Sequence, residues 1–219
     1  MAPVVRFRSA VALLGRFPAL AGVDLEVGAG EVVLLQGANG AGKTTLLRAC
    51  AGLVQVVSGQ AEVLGHDLLR DRRTVRRSVG LLGHTGTLYD DLSVEDNVRF
   101  AVRAGGGDVA AVKPAMARLG VDGRLRTISV ARLSAGQRRR VAIAALAARA
   151  PALWLLDEPH AGLDAEGRDL LDGLVRSAVT AGATVLLASH EAERASALAG
   201  RTAVIGGGRV LQRDAVHVA

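Results

Sequence analysis

The chain has 219 residues, 50% of them hydrophobic and only 2% aromatic, so it can bury a large core built from aliphatic side chains. Its formal net charge is +6, carried almost wholly by arginine, because Lys43 and Lys113 are its only lysines. The lone Cys50 excludes an internal disulfide framework and fits a reducing compartment, and no run reaches the ~20 apolar residues of a membrane-spanning helix.

Residues 1–20 carry Arg6, Arg8 and Arg16 within an apolar pattern and lack the core and cleavage site of a signal peptide. VDLEV at 23–27 and EVVLLQ at 31–36 predict strands around the turn Gly28-Ala29-Gly30. The second strand runs into the glycine-rich stretch QGANGAGKTT, after which KTTLLRACAGL predicts a helix closed by Gly52. VGLLGH at 79–84 predicts a short buried strand. From about residue 85 to Pro151 the pattern turns helical. SVEDNVRFAVRAG is capped by Ser93 with Glu95 and Asp96 in its first turn, and SAGQRRRVAIAALAARA is capped by Ser134. ALWLLD at 152–157 is a continuous apolar run closed by an acid, which suits a central buried strand. A helix over RDLLDGLVRSAVTAG, a buried strand over ATVLLASH at 183–190 and a hairpin over RTAVIGGGRVLQ complete the chain. Strands that alternate with helices on both sides of a helical insertion predict an α/β fold with a largely parallel sheet and a helical subdomain.

Gly37, Gly42, Lys43 and Thr44 satisfy G-x-x-x-x-G-K-[ST] between a strand and a helix, the context that motif requires. The glycines let several N–H groups converge on one anion, and the helix start adds its positive end. Gly37, Ala38, Asn39, Gly40, Ala41, Gly42, Lys43, Thr44 and Thr45 therefore form a candidate nucleoside triphosphate loop. Lysine suits it better than arginine, because a compact ammonium on a flexible stem reaches between the β- and γ-phosphates. Thr44 offers a hydroxyl to Mg²⁺, and Asp157, at the end of its strand, offers a carboxylate to the same ion. Glu158 stands next in line to polarise an attacking water.

LSAGQ at 133–137 resembles the signature motif of ATP-binding cassette (ABC) ATPases. The resemblance covers nearly the whole chain and keeps the family's order: the loop at 37–44, the signature at 133–137, the acidic strand at 153–158, AGLD at 161–164 and SH at 189–190. It implies a P-loop core with a mostly parallel sheet, flanking helices, an antiparallel β part and an inserted helical subdomain. The whole of 1–219 is then one domain, with 1–84 and 152–219 as core and about 85–151 as the helical part. It implies a head-to-tail homodimer in which Ser134, Gly136 and Gln137 of one copy close over Mg²⁺ and ATP held by the other. Asp164 then communicates across the dimer, and His190 contacts the γ-phosphate and the attacking water beside Glu158 and Lys43. An integral membrane subunit is the implied partner, with this chain peripheral at the cytoplasmic face of the cell membrane.

Two positions depart from the family's pattern. The aromatic ring that usually stacks on adenine is replaced by Leu14, with Phe17 nearby. The glutamine that usually ends the strand at 79–84 is replaced by His84, which the resemblance makes a coupling residue. LGH together with LSAGQRRRVAIAAL is similar to the ATP-binding subunits of cytochrome c maturation, or haem export, systems. Drug, antibiotic and lipid exporters are the alternative. The membrane partner's docking surface is expected around 85–100, with Leu88, Tyr89, Leu92 and Val94 as contacts. A soluble ABC ATPase acting on nucleic acid or ribosomes rests only on the basic stretch RDRRTVRRS at 70–78, which reads more simply as a solvated linker, and no nucleic-acid partner is expected. A switch GTPase is excluded, because no N-K-x-D element for guanine is present.

Overall fold

In the computed structural model, which describes residues 2–83 and 88–215, the run LWLLD stands as a central, fully buried strand. The strands are β1 (Val5–Leu14), β2 (Phe17–Val27), β3 (Val32–Gln36), β4 (Val56–Val63), β5 (His66–Asp67), β6 (Val79–Leu82), β7 (Leu153–Asp157), β8 (Thr184–Ala188), β9 (Arg201–Gly206) and β10 (Arg209–Ala215). The helices are α1 (Lys43–Cys50), α2 (Val94–Gly105), α3 (Val112–Arg118), α4 (Ala135–Arg149), α5 (Ala165–Thr180) and α6 (Ala192–Ser196).

Six strands form the main sheet in the order β10-β9-β3-β8-β7-β6. All its pairings are parallel except β9 with β10. Both faces of its central part are covered, which is why β3, β7 and β8 are continuous apolar runs. Val33, Leu35, Leu153, Leu155, Leu186 and Ala188 face one core, shared with α1 and the second sheet. Leu34, Trp154, Leu156, Val185 and Leu187 face the other, shared with α2, α3, α4 and α5. The second sheet is antiparallel, in the order β2-β1-β4-β5.

β1 has no simple period in the sequence, and the structure shows the cause. Ser9 takes a left-handed backbone (φ 45°), and the pairing register of β1 shifts between Phe7 and Ala10. The bulge inserts a residue, so the inward positions fall out of strict alternation. The arginine-rich stretch at 70–78 is more than a solvated linker: Arg72 and Arg76 donate to the Gly52 carbonyl at 3.2 and 2.9 Å, closing the exit of α1. Gly52 adopts φ 66° just beyond that helix, as a C-terminal stop requires.

The parallel arrangement positions the site. β3, β6, β7 and β8 all end at the same edge of the sheet, so the segments that follow them converge there.

Candidate active site

β3 delivers the glycine-rich loop to that edge. Gly37 has φ 149°, and a Cβ there would collide with the Ile205 carbonyl of β9. Gly42 has φ 112°, and a Cβ there would sit 2.9 Å from the Ala19 carbonyl of β2. The β9–β10 turn braces the loop from behind, with Gly208 N–H donating to the Ala41 carbonyl at 2.9 Å. Loop position and backbone conformation are therefore fixed by contacts that only glycine permits.

Lys43 is buried, and its Nζ donates to the Gly37 and Ala38 carbonyls at 2.6 and 3.0 Å. The ammonium thus lies across the mouth of the loop. No side chain caps the start of α1 and no acid occupies its first turn, so its N–H groups are free of internal competition for an anion. Ala38, Asn39 and Gly40 are exposed at the loop's rim, while Ala41 and Thr45 are buried in its wall. The Thr44 hydroxyl donates to both oxygens of the buried Asp157 carboxylate, at 3.1 and 2.9 Å. A hydroxyl beside a carboxylate is an all-oxygen donor set, which fits Mg²⁺.

Glu158 follows with φ 47°, a left-handed backbone that a residue with a Cβ rarely adopts. Its N–H is held by the Ala188 carbonyl of β8 at 2.8 Å. The turn aims its carboxylate at the segment after β8: Oε2 accepts from the His190 backbone N–H at 3.1 Å, and Oε1 lies 3.5 Å from His190 Nε2. Residues separated by 32 positions in sequence, both expected at the reacting phosphate, thus share one spot.

The signature stands elsewhere. Ser134 N-caps α4, accepting from the Gln137 N–H at 3.2 Å, while Gln137 Oε1 accepts from the Ser134 N–H at 3.0 Å. Ser134 is exposed. Among the described residues, no hydrogen bond joins Ser134, Gly136 or Gln137 to residues 37–45. Gly136 packs against the turn before α5, where an added Cβ would lie 3.2 Å from the Gly162 carbonyl. Asp164 caps α5 through Gly167 N–H at 3.0 Å and pairs with Arg140 at 2.8 Å. The hydrogen bond from Arg140 holds the Asp164 carboxyl below its ordinary value.

Arg139 was not legible as a site residue. It lies within a run of three arginines, RRR at 138–140, which a sequence presents as one solvated patch. At 100° per residue the three point three ways. Arg138 reaches Asp90 at 2.8 Å and Arg140 reaches Asp164. Arg139 turns inward and donates to the carbonyls of Gly83, Glu158 and Pro159 at 2.6, 2.7 and 3.2 Å. Burial lowers its pKa, opposed by the charges of Asp157 and Glu158. Arg139 ties the signature helix to the turn that carries Glu158 and to the end of β6.

Phe17 opens β2, paired with Leu14 at the tip of the β1–β2 hairpin, and is 79% exposed. It lies two residues before Ala19, the residue whose carbonyl abuts Gly42. His84 lies outside the described residues. Of the expected docking residues, Val94 is corrected: it is fully buried in the helical core, because it opens α2 on its inward face. Tyr89 is exposed and meets Phe100 edge-on at 5.0 Å.

A parallel sheet that gathers such a loop, a buried aspartate and a Glu–His pair at one edge defines a P-loop nucleoside triphosphatase. Residues 20–161 match the ABC transporter family. The chain is 36% identical to the cytochrome c biogenesis ATP-binding export protein CcmA of Cupriavidus pinatubonensis (strain JMP 134 / LMG 1197), spanning 98% of this chain and 91% of that protein. It is 38% identical to the daunorubicin resistance ATP-binding protein DrrA3 of Streptomyces coeruleorubidus, over 88% of this chain and 62% of that one. The solved structure of an ATP binding subunit of an ABC transporter superposes with a TM-score of 0.90 at 26% identity, covering 97% of this chain and 90% of its own. This chain belongs to the ABC transporter family, as an ATP-hydrolysing, ATP-binding subunit.

Proposed function

We propose that this chain hydrolyses ATP at the interface of a head-to-tail homodimer and drives a separate membrane subunit in haem export for cytochrome c maturation. The convergence of Lys43, Thr44, Asp157, Glu158 and His190 at one sheet edge, with the signature of the same chain turned outward, supports this reading best. Two copies satisfy both halves, since each signature then closes a site that it does not reach within its own chain.

In this reading Lys43 and the loop amides hold the β- and γ-phosphates. Thr44 and Asp157 hold Mg²⁺, which when bound neutralises developing phosphate charge. Glu158 accepts a proton from the attacking water, and His190 donates to the transferring phosphoryl oxygens. Ser134 and Gly136 of the second copy complete the site, and Gln137 fixes the signature's helix start. Asp164, held by Arg140, carries the state of one site to the other. Phe17 stacks on the base from the hairpin tip. Residues 1–84 and 152–219 act as the nucleotide-holding core, and about 85–151 as the moving helical part.

No helix among the described residues is long and apolar enough to cross a membrane, and this reading assigns that role to the membrane subunit. Leu53, Leu88, Tyr89 and Phe100 line a groove of about 320 Å³ beside the exit of α1, which suits a short amphipathic segment of that partner. His84, at the family's usual glutamine position, is the coupling residue in this reading. The chain then sits peripherally on the cytoplasmic face of the membrane. The cargo assignment rests on the likeness to CcmA, which extends over 91% of that relative, against 62% for DrrA3.

The test is to purify Glu158→Gln with ATP from its native membrane in mild detergent, identify what accompanies it and record the visible spectrum. An integral membrane partner with a haem Soret band is the expected outcome. A partner without haem moves the cargo to drugs or lipids, and the absence of any membrane partner overturns the transport reading.

A further inference from the structure

Two residues after Glu158, His160 is 1% exposed, and its Nε2 lies 2.8 Å from Asp172 Oδ1 of α5. A carboxylate accepts, so Nε2 carries the hydrogen. The other oxygen of Asp172 accepts from Arg194 Nη1 of α6 at 2.5 Å, and Arg194 also reaches Asp169 at 2.9 Å. Asp172 is itself buried. A buried imidazole–carboxylate pair ended by a half-buried guanidinium costs desolvation and is weak support for stability alone. His160 Nδ1 adds to that cost, since it is buried without a hydrogen-bond partner among the described residues.

The chain's ends identify what it does. His160 anchors the turn that begins at Glu158, where the backbone is forced to φ 47° immediately before Pro159. Arg194 anchors α6, which begins directly after His190 and Glu191. Arg168 of α5 ties down the same segment through Glu191 at 3.3 Å. The contact between Glu158 and the His190 N–H closes the circuit: Glu158, His160, Asp172, Arg194, His190 and back to Glu158.

We propose that His160, Asp172 and Arg194 form a positioning network that fixes the separation of Glu158 and His190 by fastening both of their segments to α5. The proposal rests on the catalytic reading of Glu158 and His190 above. The network touches neither of their side chains, so it acts through backbone placement. A strained turn persists only where its surroundings over-determine it, and the buried His160 anchor supplies that constraint on the side away from the nucleotide. Misplacement of a reacting group by a fraction of an ångström affects turnover far more than substrate binding.

The experiment uses the full chain and steady-state ATP hydrolysis, with the melting temperature measured alongside. His160→Phe fills the buried space and leaves Asp172 paired to Arg194, so no carboxylate is orphaned. It should lower kcat about tenfold with the KM for ATP changed less than about twofold. His160→Gln, which keeps a donor near the Nε2 position, should recover most of the loss. In a Glu158→Gln background, His160→Phe should add nothing to the residual rate, because the group it positions is gone. A tenfold further loss in that background, or an unchanged kcat with only a lowered melting temperature, overturns the positioning role. If His160→Phe fails to fold, Asp172→Asn takes its place, with a kcat about tenfold lower expected in the otherwise unaltered chain, no added loss in the Glu158→Gln background, and His160→Gln again close to normal turnover. Near-normal turnover by Glu158→Gln alone is a different failure, that of the catalytic reading, and takes this proposal with it.

Discussion

The helices α1 and α4 each carry a motif glycine at their start, Gly42 and Gly136, and they begin in opposite ways. α1 starts at Gly42 with no side-chain cap, while α4 starts at Ser134 with a reciprocal capping box. At α1 the N-cap position is Gly42, which has no side chain to cap with, so the first N–H groups are left open to an external anion. At α4 the chain satisfies its own donors with Ser134 and Gln137 and leaves the exposed Ser134 side chain to present itself outward. In the proposed reading the first start holds nucleotide by itself, and the second keeps its shape until the other copy meets it.

Removing the cation at the first start has the largest expected effect. Lys43→Ala should weaken Mg²⁺–ATP binding about tenfold to a hundredfold, the worth of ~1.5–3 kcal/mol for hydrogen bonds to a charged group, as calorimetric titration would read it. Unchanged affinity would erase the distinction between the two starts. Cutting the tie between the regions comes next. Arg139→Ala releases the carbonyls of Gly83, Glu158 and Pro159 and should lower kcat about tenfold, at ~1–3 kcal/mol of stability by chemical denaturation. A variant with reduced stability and full turnover would reduce Arg139 to a packing residue. The smallest effect within one chain belongs to the second start. Ser134→Ala should cost about 1 kcal/mol of stability through the lost cap and leave the ATP affinity of the separate monomer unaltered. A loss of monomer affinity would place the signature at its own chain's nucleotide.

How far the sequence carried differs between these regions for physical reasons. The loop at 37–44 was legible because its glycines answer to local backbone needs, and the buried strands because their apolar runs are continuous. The caps Ser93 and Ser134 were legible because capping acts within three residues. β1 was not, since the bulge at Ser9 breaks its alternation, and β4 was not, since its middle residues, Val57 to Gln60, are all exposed and show no alternation. The inward turn of Arg139 was hidden by its arginine neighbours, and the link of His160 to Asp172 and Arg194 depends on how α5 and α6 pack. The roles of the site residues come from the family resemblance, and the structure adds where those residues meet.

The most direct test mixes two chains that are each inactive, one carrying Lys43→Ala and the other Ser134→Arg. If the signature of one copy closes the loop of the other, a mixed dimer holds one site with both defects and one with neither. ATP hydrolysis should then reappear on mixing and rise with the fraction of mixed dimer. Turnover no greater than that of the separate variants, with mixed dimers shown to form, would contradict the shared site.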